Sequence, residues 1–510
     1  MRLRSKLYCE PKGSLLRTQR VLYCVCKANF IACRRHLIQF IPNSDLRIPY
    51  SLIYSLAFSN KLLYYYPMRI KLSDNFSYKR LLRFTLPSIA MMIFTSIYSV
   101  VDGLFVSNFV GKNAFSAVNF IFPILMMLAT VGFMFGSGGS ALISKTMGEG
   151  DNEKAQTLFS FFTYLNFVVG IVLAILGIIF LPQISKLFGA EGKLLEDSVL
   201  YGRIILLALP FFATQNAFQA FFVTAEKPNL GLMVTIGAGV MNMVMDALLI
   251  AVFNLGLVGA ALATALSQLV GGIVPLIYFL CPNKSLLRLG RAKWDGKALF
   301  KTITNGSSEL LNNISMSLAS MLFNMQLLKY AGEDGVAAYG VLMYVGFVFM
   351  AIYIGYSVGS APIIGYHYGA QNHSELKSLL KKSAVIIGVF SLLMFAISEL
   401  LRGPISSIFV SYDQELMEMT KHAFFIYGFS FLSAGYGIFG SSFFTALNDG
   451  LTSGIISFMR TLVFQTIAVF TLPLVMGLDG IWLSLVIAET MSCLLTILCV
   501  VGKRKKYKYL

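Results

Sequence analysis

The segment GVMNMVMDALLIAVF, residues 239–253, is apolar except for Asn242 and Asp246. An amide and a carboxylate at i and i+4 share one helix face. A second carboxylate, Asp102, lies in SIYSVVDGLFVSNFVG, and a hydroxyl, Thr264, lies in GLVGAALATALSQ. These hard oxygen ligands suit a proton or a small hard cation, not a soft metal. Two carboxylates held together cannot both ionise cheaply without a positive charge between them. At the centre of a membrane helix an Asp costs about 2.5 to 3.5 kcal/mol, and intramembrane acids are functional by default. The chemistry on offer is a cation-coupling site of Asp102, Asn242, Asp246 and Thr264. It needs no cofactor beyond H+ or Na+ as coupling ion and no catalytic residue.

The elements that must position these groups follow from composition. The chain has 510 residues, 56% hydrophobic and 13% charged, with a mean hydropathy of +0.72. A soluble chain carries about 25% charged residues, so a polytopic all-α membrane protein is expected. Apolar runs long enough to cross a bilayer, about 20 residues, recur twelve times. They lie near 81–108, 114–144, 156–181, 200–224, 229–253, 257–281, 302–329, 335–362, 378–401, 421–445, 451–475 and 479–501. Asp246, Asp102 and Thr264 are each seven or eight residues from one end of their spans. At 1.5 Å per residue, that puts all three roughly 10–12 Å below one surface.

Basic residues assign the sides. Arg69, Lys71, Lys79, Arg80 and Arg83 precede span 1, and six Lys/Arg lie between Lys284 and Lys301. Five more close the chain, from Lys503 to Lys508. Both termini are therefore expected in the cytoplasm and the site near the outer face. The net charge of +17 does not point to nucleic acid, because it is spread over tails and connections.

The two halves match without a gap at an offset of 221 residues: Gly111 with Gly332, Gly138 with Gly359, Gly148 with Gly369, Ala225 with Ala446, and Gly256 with Gly477. One register held that long indicates a duplication. Six spans per unit make the halves face the same way, related by a pseudo-two-fold axis along the membrane normal. Residues 68–285 form one six-helix bundle, 286–301 a basic linker, and 302–510 the second bundle with its tail. At the same offset Asp102, Asn242, Asp246 and Thr264 fall on Phe323, Val463, Ile467 and Leu485. The second bundle folds without them, which argues against a purely structural role.

From about Tyr78 to Leu510 the chain resembles the multidrug and toxic compound extrusion (MATE) family. The motifs are LPSI in span 1, VDGLFVSNFVG, GSGGSALISKTMGEGDNEKA, and the second-half echo GSAPIIGYHYGAQN. The match is closest to the branch whose acidic cation site is in the N-terminal bundle. That resemblance implies the proton or sodium site at Asp102, Asn242, Asp246 and Thr264, and a bend of span 1 at Pro87. The other branch places acids in the C-terminal bundle; Glu309 could echo one, but span 10 has none. Arg460 and Glu489, also intramembrane, could form a polar contact.

No nucleotide-binding motif or His-Glu-x-x-His pair is present, so an ion gradient must supply the energy. GSGGS, 136–140, lies within span 2 and reads as close helix packing. The expectation is a monomeric, multi-pass plasma-membrane antiporter exporting amphipathic, cationic organic compounds. Phe212, Phe218, Phe222, Tyr436 and Phe439 would line its cleft. A lipid-linked oligosaccharide flippase of the same superfamily is the alternative. Residues 1–67, with eleven basic and two acidic residues and Cys9, Cys24, Cys26 and Cys33, fit neither bundle. They lack zinc-knuckle spacing, and Met68 reads as the natural start.

Overall fold

The computed structural model describes residues 70–510 apart from Lys284, Tyr412 and Leu510. The basic N-terminal extension and Met68 lie outside the described residues. The first bundle contains α1 (Tyr78–Phe105), α2 (Lys112–Gly148), α3 (Asn152–Leu187), α4 (Gly192–Thr224), α5 (Pro228–Asp246) and α6 (Gly256–Leu280). The second begins with α7 (Gly296–Gly369), α8 (His373–Val410), α9 (Gln414–Gly428) and α10 (Phe431–Ala446). It ends with α11 (Gly450–Phe458), α12 (Phe464–Thr471), α13 (Pro473–Met476) and α14 (Leu478–Tyr507). Among the described residues there is no strand.

Ten helices in this region are long and apolar enough to cross a membrane, counting Gly450–Met476 as one; the bent pair α9–α10 makes an eleventh. Helix α7 supplies the twelfth. Its 74 residues would run about 110 Å if straight, far beyond a hydrocarbon core of about 30 Å. It breaks at Gly332, whose φ of 62° and ψ of −149° are not helical. Its partner in the first half, Gly111 with φ 107°, makes the equivalent break between α1 and α2. Both positions need a residue without a Cβ. The caps repeat as well: Asp151 accepts from Lys154 N, and Asn372, 221 residues later, accepts from Glu375 N.

Span 10 departs from the sequence expectation. The run 421–445 is not one helix, because α9 and α10 meet at 52°. Gly428, a poor helix former, ends α9. The chain then turns through Phe429 N to Ile426 O and Ser430 N to Tyr427 O. Across span 10 the repeat also runs one residue longer, from the caps Glu191 and Asp413 onward. The left-handed residue after α4 is Glu226 (φ 57°) and the one after α10 is Asn448 (φ 59°), an offset of 222. Ala225 and Ala446 are therefore one residue out of structural register.

Helices α1 and α2 pack against α7 along a seam between the bundles, and the approach is backbone to backbone. A Cβ on Gly138 would lie 2.8 Å from Gly306 N, and one on Gly306 2.7 Å from Met134 C. The two-fold copy of the first contact is Gly359 against Thr85, and Gly355, the counterpart of Met134, approaches Ser88 and Ile89 close by. Gly148 and Gly369 complete the set: a Cβ on either would clash with Tyr366 O or Lys145 O, respectively. Of GSGGS, Gly138 lies in the seam, while within the first bundle Gly136 packs on the Ala217 backbone and Gly139 on the rings of Phe162 and Phe221.

One side of the molecule collects the linker and the even-numbered connections. There Leu72 N donates to Glu226 Oε1 (2.9 Å) and Phe76 N to Glu375 Oε1 (2.9 Å). Tyr507 Oη donates to Asp449 Oδ2 at 2.7 Å. The linker is docked on the first bundle. Leu287 is buried, Ser285 Oγ donates to Ala225 O (3.2 Å), and Gly290 N donates to Ser160 Oγ (3.0 Å).

Candidate functional site

The structure brings Asp102, Asn242, Asp246 and Thr264 together in the half of the first bundle remote from the linker. Helix α5 can approach α1 because Gly239 has no side chain; a Cβ there would be 2.5 Å from Phe94 Cε1 and 3.0 Å from Tyr98 Cδ1. A tight turn through Asn254 and Gly256, both with positive φ, folds α6 back beside α5. Thr264 thereby faces Asn242. Each carboxylate also precedes a π-helical turn: Val106–Val110 follows Asp102, and Ala247–Val252 begins directly after Asp246. Such turns recur at functional sites.

Asn242 Nδ2 donates to Thr264 Oγ1 at 3.5 Å, and Thr264 Oγ1 donates to Asp102 Oδ1 at 3.5 Å. This chain joins α5, α6 and α1, but at the long limit for hydrogen bonds. Asp246 is fully buried and Asn242 nearly so. Both oxygens of Asp246, and Oδ1 of Asn242, receive no hydrogen bond from a described residue. Asp246 and Asp102 are near enough to act on each other electrostatically. Buried acceptors ordinarily have donors. Acceptors left without donors beside two carboxylates can be satisfied by a bound proton or by a small cation.

Two further side chains belong to this environment. Tyr201 of α4 lies near Thr264 and feels the charge of both carboxylates, and Tyr98 feels the charge of Asp102. Tyr98 sits four residues before Asp102, on the same helix face, and was recoverable from spacing. Nothing near Tyr201 in the sequence marks it.

Pro87 is buried inside α1, at the level where Thr85, Ser88 and Ile89 meet Gly359 and Gly355. The helix is assigned without interruption through it. The aromatic cleft is revised. Phe218 and Phe222 are 1% and 2% exposed and pack with Phe159, Phe221 and Phe279, at ring separations of 5.4–6.1 Å for Phe218. Phe439 is buried against Tyr356 and Phe443. These three pack the bundle interiors and do not face a cleft in this conformation, because residues of α3, α6 and α7 cover them. Phe212 is half-buried; Tyr436, also half-buried, donates to Ala384 O at 3.4 Å. Arg460 and Glu489 do meet, as an ion pair at 2.8 Å.

Comparison with known proteins is consistent with this architecture. Multidrug export protein MepA of Staphylococcus haemolyticus (strain JCSC1435) is 26% identical over 430 residues, covering 84% of this chain and 94% of that protein. MepA of Staphylococcus aureus (strain MRSA252) is 25% identical over 425 residues, covering 83% and 93%. Among solved structures, the outward-facing conformation of a multidrug resistance MATE family transporter of the MOP superfamily superposes with a TM-score of 0.81 at 22% identity, covering 86% of this chain and 98% of that one. A MATE crystal structure in complex with MaL6 gives 0.81 at 21% identity, with the same coverage. The MatE family matches residues 87–248 and 310–471, one stretch in each bundle. Those two stretches take in more than half of the sequence and fall in equivalent parts of the duplication, so the chain belongs to the MatE family.

Proposed function

We propose that this chain is an antiporter of the plasma membrane, acting as a monomer, that exports amphipathic cationic organic compounds in exchange for inward H+ or Na+. The export part is supported by the names of its MepA relatives, which are multidrug export proteins. The coupling part rests on one observation: the buried oxygens of Asp246 and Asn242 lack donors beside a second carboxylate. In this reading Asp102 and Asp246 hold the ion, Asn242 and Thr264 orient them, and both termini are cytoplasmic. The glycine seam closes the cytoplasmic side, so loading from that side requires α2 and α7 to separate there. Binding a cation releases the mutual repulsion of the two carboxylates and allows α1, α5 and α6 to repack. A ligand shifts a conformational equilibrium only through such a difference between states. The flippase alternative gains no support from an acid-bearing first bundle.

The test is ethidium accumulation in pump-deficient bacteria expressing the full chain, beside Asp246→Asn at matched membrane levels. Wild type is expected to lower accumulation, and the variant to match empty vector. Replacing sodium or collapsing the pH gradient then names the ion. Full export by Asp246→Asn would sink the mechanism.

A further inference from the structure

The second bundle holds charged groups that the ion site does not use. Arg460 lies in the π-helical turn Met459–Val463 of span 11, Glu489 in α14, and Glu309 in α7. Arg460 Nε donates to both carboxylate oxygens of Glu489, at 3.1 Å to Oε1 and 2.8 Å to Oε2. Their side chains are only 13% and 5% exposed. An arginine that serves a carboxylate alone usually offers two nitrogens in a fork. Here one N–H is shared between both oxygens. Neither terminal nitrogen donates to a described residue, which leaves four of the five guanidinium N–H groups. The arginine is clamped from behind with its fork free.

The surroundings point the same way. A Cβ on Gly437 of α10 would meet Ser492 Oγ at 2.7 Å and Arg460 Cδ at 3.2 Å, so the three groups adjoin. The Ser492 hydroxyl is fully buried and has no partner among the described residues. Glu309 is partly exposed, feels the charge of Arg460, and lies one turn beyond Gly306, which packs on α2 across the seam. It therefore lies on α7 close to the junction of the bundles and within the reach of the arginine's charge.

Stability is a weak reason for this arrangement, because buried ion pairs are often no better than apolar replacements. The duplication gives a sharper reason. Glu309 and Glu489 correspond at offset 221 to Ser88 and Gln268, and Arg460, at the offset of 222 that holds after α10, to Ala238, so the first bundle folds without any such charge. A guanidinium fork fits a planar carboxylate bidentately, and an adjacent carboxylate fits an ammonium.

We propose that Glu309, Arg460 and Glu489 form a second substrate subsite, which takes amphipathic zwitterions by their carboxylate at Arg460 and their amine at Glu309. Glu489 is a positioning residue that turns the fork outward. The subsite deepens the export reading and rests on it for its purpose, but binding can be measured without transport. Rhodamine 110 carries a free carboxylate, and rhodamine 123 is its methyl ester. Fluorescence polarisation with the purified full chain gives a dissociation constant for each dye. Wild type is expected to prefer the acid. Arg460→Lys, which keeps the charge but loses the fork, is expected to raise the acid-to-ester ratio of dissociation constants about tenfold or more, the scale of one charge-assisted hydrogen bond. Glu489→Gln keeps the arginine and loosens its clamp, and is expected to raise the ratio by a smaller factor. A ratio unchanged in both variants, or a wild type that prefers the ester, overturns the proposal. Acid-selective binding without dye export would count against the export reading and leave the subsite standing.

Discussion

Gly148→Ala tests whether the seam is a gate. In the closed seam the new Cβ would lie 2.8 Å from Ala370 N and 2.9 Å from Tyr366 C, with Tyr366 O nearer still. Comfortable heavy-atom contacts are about 3.5–4.0 Å, so α2 and α7 must part by at least about 0.7 Å there. The obstructing atoms are main chain, so no rotamer change can relieve them. Overpacking of this kind typically costs about 1–3 kcal/mol. The helix-propensity gain of Ala over Gly applies whether the seam is open or closed, and cancels. The whole cost falls on the closed state. Since 1.4 kcal/mol is tenfold, the open fraction should rise about 5- to 150-fold. Ser144 reports it: it is fully buried one turn away, with Gly365 against its Oγ. The assay is the rate at which Ser144→Cys reacts with a membrane-impermeant maleimide, with the native cysteines replaced. Gly237→Ala is the control, because a Cβ there meets nothing within 4 Å. A labelling rate in Gly148→Ala no higher than in the control would refute the reasoning.

Three further outcomes are expected. Arg460→Met or Glu489→Met alone should destabilise by about 3–5 kcal/mol by stranding a buried charge, whereas the double variant should recover most of the loss; thermal melting in detergent decides it. Phe218→Ala should cost about 3–5 kcal/mol as a core cavity and leave substrate affinity in the folded fraction unchanged, whereas a cleft residue would show the reverse in dye binding. The docked tail should be pH-dependent. Burial alone would raise the Asp449 pKa, but hydrogen bonds from Tyr507 and Thr452 and the charge of Lys503 outweigh it and hold the carboxyl below the usual range. A depressed folded pKa gives stability that is present above the unfolded value, about 3.9, and lost as pH falls through the folded one. Hydrogen exchange at residues 503–509, corrected for intrinsic rates, should therefore quicken on strong acidification, and Asp449→Asn should remove that dependence.

The meeting of the four polar residues was legible because each breaks an apolar run at a countable distance from a span end. Asn242 and Asp246 needed only helical periodicity, and Asp102 and Thr264 only depth. The aromatic residues were not legible in the same way. Phe218 and Phe222 recur at helical spacing on α4, which marks a face but not what covers it, and Phe159 and Phe279 cover it from α3 and α6. The break at Gly428 was hidden because aromatic residues on both sides keep the run apolar through the bend. Tyr201 was hidden for the opposite reason: a tyrosine near the end of a span is ordinary until its neighbours are known.

The duplication explains which features had to stay symmetric. A two-fold seam presents the same surface from both sides, so a bulky residue at Gly138 cannot be relieved by a change at Gly359 alone; each half must keep its own close approaches. Charges carry no such requirement, and here they are divided. The place of Asp102 in the second bundle is taken by Phe323, fully buried and stacked on Tyr339 at 5.4 Å and 2°. The place of Arg460 in the first bundle, in the register of 222 that holds after α4 and α10, is taken by the uncharged Ala238. In the proposed antiport, a cation arriving at Asp102 and Asp246 would therefore act on one bundle only. The opposing bundle offers a rigid aromatic stack and a clamped ion pair instead of a second titrating cluster. Movement driven by the ion should be concentrated in α1, α5 and α6 and transmitted across the glycine seam, with α7 as the fixed side.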